Sequence, residues 1–185
     1  MNARRPWLVI ALVAVSSVVV FASGNITINP SPSETGGVIL SFNARDTWNL
    51  QTVDFLRAGT TVIFDYDVEL RRAGFLGILD STLARTYVTT TAKFDTLVRK
   101  YSVSRMRSGS VFASDTLTQE SAVKEWLTTF ARVELEPTAP LEPYVEYYVY
   151  VGLTIHPKKS VPSIFSLWPF GREENAGRVP YTFIK

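Results

Sequence analysis

The chain has 185 residues, of which 46% are hydrophobic, 12% aromatic and 19% charged, with a formal net charge of +2 and no cysteine. That apolar content supports a real core and excludes a chain disordered throughout. Without cysteine there is no disulfide scaffold, thiol nucleophile or thiolate zinc site, and a single histidine excludes a His-rich metal centre.

Residues 1–23 follow a different rule from the rest. Arg4 and Arg5 precede an apolar run from Trp7 to Ala22, interrupted only by Ser16 and Ser17. A cationic flank before such a run marks an export signal or an N-terminal membrane anchor. Its apolar side chains are Trp7, Leu8, Val9, Ile10, Leu12, Val18, Val19, Val20 and Phe21. As a helix the run rises roughly 24 Å, short of the ~30 Å hydrocarbon core, so an anchor of this length relies on local bilayer thinning. Val20-Phe21-Ala22 resembles a small-x-small cleavage site, with Val20 bulkier than the pattern prefers. Positive-inside logic sets the N-terminus in the cytoplasm and everything after Gly24 outside it. With the two leader arginines set aside, 17 basic residues face 17 acidic ones. A neutral remainder gives no reason to expect nucleic-acid binding.

In chain order, Asn25 to Ile28 predicts a first short strand, and Asn29 to Gly37 has the composition of a turn and linker. Val38 to Asn43 predicts a second strand. Leu50, Val53 and Leu56 recur at helical spacing, with Gly59 where a C-terminal cap is wanted. From Val62 to Leu70 the even positions are Val62, Phe64, Tyr66, Val68 and Leu70, while Asp65, Asp67 and Glu69 alternate with them. Strict period two means a strand with one buried and one wet face. Leu83 to Phe94 and Thr96 to Arg105 predict two more strands around a loop at Phe94-Asp95-Thr96, making an antiparallel meander.

Met106 to Asp115 reads as loop, with room for a short strand at Val111-Phe112. Thr116-x-x-Gln119 offers a capping box for a helix from Leu117 to Phe130, its apolar stripe formed by Ala122, Val123, Trp126, Leu127 and Phe130. Arg132 to Glu136 alternates weakly, as an edge strand would. Tyr144 to Ile155 predicts a long strand, with Val145, Tyr147, Val149, Val151, Leu153 and Ile155 on one face. Pro157 to Gly177 lacks periodicity, and Val179 to Ile184 predicts a short strand that Pro180 assigns to an edge.

The expected architecture is mainly β: an antiparallel β-sandwich, or a curved sheet, of about seven or eight strands with two short helices, after the hydrophobic N-terminal segment. The domain plan is 1–23 signal peptide or anchor, 24–37 linker and first short strand, and 38–185 one β-rich domain.

No catalytic constellation emerges. Asp65, Asp67 and Glu69 project from one strand face, a spacing open to paired-carboxylate hydrolysis or a hard-cation site, or to a solvated face paired with Arg71, Arg85 or Lys93. His156 stands alone at a strand end, with no Gly-x-Ser-x-Gly elbow and no Gly-rich phosphate loop in the chain. No catalytic, cofactor or metal residue is assigned. Two features suit binding instead. Tyr144, Tyr148 and Tyr150 share a strand face, as a buried second face or a binding patch. Ile164, Phe165, Leu167, Trp168 and Phe170 crowd the aperiodic stretch beside Lys158 and Lys159, fit for packing, partner binding or membrane contact.

Several stretches carry a resemblance: Phe55-Leu56-Arg57-Ala58-Gly59, Thr61 through Arg72, Arg85-Thr86-Tyr87, and Arg99-Lys100-Tyr101-Ser102-Val103-Ser104-Arg105. Together they resemble a bacterial domain-of-unknown-function family, DUF4390-like, over about Val38 to Val151. The resemblance implies an exported or anchored envelope domain encoded near NtrY-type membrane sensor kinases, and it transfers no catalytic residue. The expected function is a non-enzymatic envelope domain binding a protein partner. The alternatives are a periplasmic binding protein for a small apolar ligand or lipid, held between the sheets or under the helix of Leu117 to Phe130, and a hydrolase using Asp65, Asp67 or Glu69.

Overall fold

The computed structural model describes residues 26–74, 80–158 and 173–182. Nine strands, two α-helices and one 3-10 turn follow one another among them. Strands β1 (Thr27–Pro32), β2 (Val38–Asn43) and β7 (Thr129–Leu135) form a three-stranded antiparallel sheet in the order β1-β2-β7. Strands β3 (Val62–Arg72), β4 (Ser81–Asp95), β5 (Lys100–Arg107), β6 (Ser110–Leu117), β8 (Glu146–Pro157) and β9 (Glu173–Thr182) form a six-stranded one. Its order is β6-β5-β4-β3-β8-β9, every pair antiparallel. The sandwich expectation holds.

The alternation of β3 explains the packing. Val62, Phe64, Tyr66, Val68 and Leu70 are all buried, and their partners across β4 and β8 include Ala92, Val88, Ala84, Ile155, Leu153, Val151 and Val149. The small sheet covers this inner face. Phe42 of β2 stacks on Phe130 of β7 at 4.6 Å, and both rings meet Tyr66, at 5.2 and 5.1 Å. Losing such a ring costs about 3–5 kcal/mol through lost burial and the cavity left behind. Gly177 of β9 lets the sheets close along one edge: a Cβ there would meet the Ile26 carbonyl oxygen at 2.9 Å.

Helix α1 (Leu50–Arg57) follows the 3-10 turn Arg45–Thr47. Its Asn49 cap accepts the Thr52 N–H at 2.9 Å, and the Gly59 N–H donates to Leu56 O at 2.8 Å. Helix α2 (Glu120–Thr128) lies over β4 and β5 and passes directly into β7. It has no glycine cap. Its last carbonyls take tertiary donors instead: the guanidinium of Arg105 donates to Trp126 O (2.6 Å), Tyr66 Oη and Thr90 Oγ1 to Leu127 O (2.8 and 3.2 Å), and the Ala44 N–H to Thr128 O (2.8 Å).

Several boundaries differ from expectation. The first strand begins at Thr27 and runs on to Pro32, since an edge strand tolerates Pro30 and Pro32. Strand β4 extends to Asp95, and the turn falls at residues 96–99, where the Asp95 carboxylate accepts the Leu97 N–H at 2.8 Å. The stretch after Met106, read as loop with room for a short strand at Val111-Phe112, is a hairpin: Ser108 and Gly109 both take positive φ, and β6 takes in Val111 and Phe112 but runs on to Leu117 without the apolar alternation that would announce it. Thr116 therefore lies in a strand. The capping box does not form, Gln119 occupies the N-cap without a side-chain bond, and the helix is shorter than Leu117 to Phe130. Phe130 belongs to β7, which spans Thr129–Leu135 rather than Arg132 to Glu136. Strand β8 runs Glu146–Pro157, leaving Tyr144 outside it, and β9 begins at Glu173, inside the stretch read as aperiodic.

Candidate functional site

Opposite the core, the six-stranded sheet presents a ladder of charged and aromatic residues, ordered in rows by strand register. Thr89, Asp65 and Thr154 form one row; Tyr87, Asp67, Gly152 and Ala176 the next; Arg85, Glu69, Tyr150 and Arg178 the third. Arg71 and Tyr148 begin a fourth.

Each acid of β3 is engaged. Asp65 accepts the Thr89 hydroxyl at 2.6 Å, and its other oxygen lies 2.9 Å from His156 Nε2. Asp67 holds Arg85 through both oxygens, one at 2.8 Å from Nε. Glu69, only 2% exposed, joins Arg85 at 3.1 Å and Arg71. A buried carboxylate survives only when paired, and here two guanidiniums supply the charge. The bond to Glu69 raises the Arg71 guanidinium above its ordinary range, and the bond to Asp67 does the same for Arg85.

The chain of contacts continues toward Asp80, whose carboxylate accepts the Gly74 N–H at 2.9 Å and the Tyr148 hydroxyl. These bonds, the Gly74 one foremost, hold Asp80 below the usual carboxylate range. Burial, then Asp80, pushes the Tyr148 phenol up. Arg178 stacks over the Tyr148 ring at 3.6 Å, Arg71 over Tyr150 at 5.2 Å, and Arg85 over Tyr87 at 4.7 Å.

A cleft of about 480 Å³ opens in the middle of this face, lined by Asp65, Asp67, Tyr87, Thr89, Tyr150, Gly152 and Thr154. Gly152 makes it. A Cβ there would meet the Tyr150 ring at 3.1 Å, so the ring folds over the glycine as one wall. Tyr87, 49% exposed, stands on the other side.

The tyrosine patch read from the sequence is thus divided. Tyr150 lines the cleft, Tyr148 is buried in the ion-pair network, and Tyr144, at positive φ and 82% exposed, precedes the strand and joins neither. Of the cross-strand bases expected for the β3 acids, Arg71 and Arg85 serve and Lys93 does not. His156 meets Asp65, a contact that sequence spacing did not suggest. Tyr87, Gly152 and Asp80 were also missed. An isolated glycine within a strand of large residues was the one available signal.

Ile164, Phe165, Leu167, Trp168 and Phe170, and the leader residues Trp7 through Phe21, lie outside the described residues. Among the described residues no helix is long and apolar enough to cross a membrane, and no three His, Asp or Glu side chains group as metal ligands. Beneath α2, Tyr66, Thr90, Leu127 and Phe130 are buried, and the Tyr66 and Thr90 hydroxyls donate to Leu127 O.

A family model described as "Domain of unknown function (DUF4390)" matches residues 25–174. The chain belongs to the DUF4390 family. The match takes in the Val38 to Val151 stretch that carried the resemblance and extends to β1 and the first residues of β9. No curated protein and no solved structure matches the chain.

Proposed function

We propose that this DUF4390 domain is a non-enzymatic envelope module, exported by its leader or tethered by it to the inner membrane, and that it binds a protein partner through the outer face of the six-stranded sheet. The observation that carries this reading is the open cleft between Tyr87 and Tyr150, set in a face whose acids are already held by Arg71, Arg85, Thr89 and His156. Carboxylates engaged in this way favour recognition over acid–base work, and tyrosines flanked by arginines are the side chains that dominate protein interfaces. A membrane sensor kinase of the NtrY type is the candidate partner that the family resemblance implies.

Crosslinking capture from intact membranes tests this reading, comparing the full chain with a form released through a cleavable signal. One recurrent membrane protein, lost when Tyr87 and Tyr150 are both replaced by serine, supports it. No partner from either form overturns it.

A further inference from the structure

Among the described residues four strands end the two sheets: β1 and β7 in the smaller, β6 and β9 in the larger. Three of them carry devices that stop a strand from pairing further. Strand β1 has Pro30 and Pro32, β7 has the exposed ion pair Arg132–Glu134, and β9 has Pro180 and lies against β1 where Gly177 meets Ile26. Strand β6 differs. Ser110–Leu117 contains no proline and no basic residue, and almost all of it is exposed, with Val111 at 61% and Phe112 at 53%. Its register against β5 shifts at Phe112, which leaves Ala113 to Leu117 as the regular stretch.

Asp115 occupies the centre of that stretch. Its carboxylate accepts the Thr116 N–H at 2.7 Å, standing in for the carbonyl that a neighbouring strand would offer. We propose that this edge receives an extended segment of a protein partner as a seventh strand, with a lysine or arginine opposite Asp115.

Charge selects this occupant over a second copy of the chain. Pairing two copies in the register that overlaps the whole of Ala113 to Leu117 sets Asp115 against Asp115, and like charges directly opposite are destabilising. A basic residue in that place gains an ion pair once an incoming carbonyl replaces the carboxylate on the Thr116 N–H. The outward face adds a second preference. Thr91 and Ser104 bond at 2.8 Å, and Ser114 continues their row on β6, so hydroxyl residues suit the next strand there. The recognised segment therefore alternates Thr or Ser on one face with apolar residues around a central base on the other. Main-chain bonds supply the affinity and this alternation the selectivity. The edge is a separate surface from the Gly152 cleft and stands whether or not that cleft holds a partner.

Two acetylated heptapeptides provide the probe, Thr-Val-Thr-Lys-Thr-Val-Thr and its counterpart with central glutamate, titrated into the full chain in detergent. Amide exchange and chemical shifts give the readout. The lysine peptide is expected to bind about tenfold more tightly than the glutamate peptide, a gap of about 1.4 kcal/mol, and to slow exchange at Thr116. Asp115→Lys, an exposed substitution whose fold is checked by its thermal transition, reverses the preference. Alternate N-methylation of the peptide, which leaves the protein untouched, abolishes binding. Equal affinity for the two peptides overturns the proposal, as does protection centred on Tyr87 and Gly152. Concentration-dependent dimers that disappear in Ser114→Pro also overturn it, in favour of a second copy.

Discussion

The Tyr66 hydroxyl lies 2.8 Å from the Leu127 carbonyl oxygen, so a side chain from the centre of the large sheet closes the C-terminal end of helix α2. Thr90 of the adjacent strand donates to the same oxygen at 3.2 Å. Tyr66→Phe keeps the ring and removes one of the two donors, a loss of about 1 kcal/mol. Adding Thr90→Val leaves the carbonyl with neither hydroxyl in a buried setting, and the pair is expected to cost more than the sum of the singles. Urea unfolding of the two singles and the double measures this directly. Additive losses would show that the carbonyl finds another donor.

Arg105 holds the same junction from the other side. Its guanidinium lies over the Trp126 and Phe130 rings, at 4.7 and 4.6 Å, while it donates to the carbonyls of Trp126 and Thr129. Burial lowers its pKa from the ordinary arginine value. Arg105→Met retains the stem but removes the guanidinium bonds to both carbonyls, for an expected loss of about 2–3 kcal/mol. Arg105→Lys recovers only part of this, because an ammonium lacks the planar fork. Denaturant midpoints of the two variants test that order.

Alkaline pH should unfold the domain by a specific route. Burial pushes up the phenols of Tyr66, Tyr101, Tyr148 and Tyr181. A tyrosine whose folded pKa is raised contributes its full stability below the unfolded value of about 10, and loses it as pH rises through the folded one. Stability is therefore flat into mildly alkaline solution and falls above about pH 10. Tyrosinate absorbance from these four phenols should appear together with unfolding. A single smooth titration of all tyrosines in folded protein contradicts the assignment.

Gly152→Ala separates fold from function. The three atoms nearest its Cβ all belong to the movable end of the Tyr150 side chain, and alanine reduces the entropy of the unfolded chain, so stability should hold or rise by up to about 1 kcal/mol. The displaced ring and the added methyl group fill the cleft. Unchanged thermal stability with weakened partner capture is the expected combination; loss of stability would mean that the strand needs glycine for its backbone.

Much of this fold is legible in residue order, and the reasons are local. The alternation from Val62 to Leu70 states which face of β3 is buried, and Gly59 marks the end of α1. Strand β6 is hidden because Ser110–Leu117 is exposed on both faces and has no apolar rhythm to show. The end of α2 is hidden because Phe130 still falls at helical spacing, while the contacts that stop the helix come from Ala44, Tyr66 and Arg105, far away in sequence. The cleft depends on strand register. Nothing local to Tyr87, Asp67 or Gly152 reveals that pairing aligns them in one row.

The most direct test of the central claim places a photo-crosslinking amino acid at Tyr87 in intact cells, with Leu97, on the β4–β5 turn, as the control position. Recognition by the outer face predicts one discrete protein adduct from position 87, diminished by Gly152→Ala and absent from position 97. Adducts of equal yield from both positions, or none from position 87 while the domain is folded and exported, would contradict it.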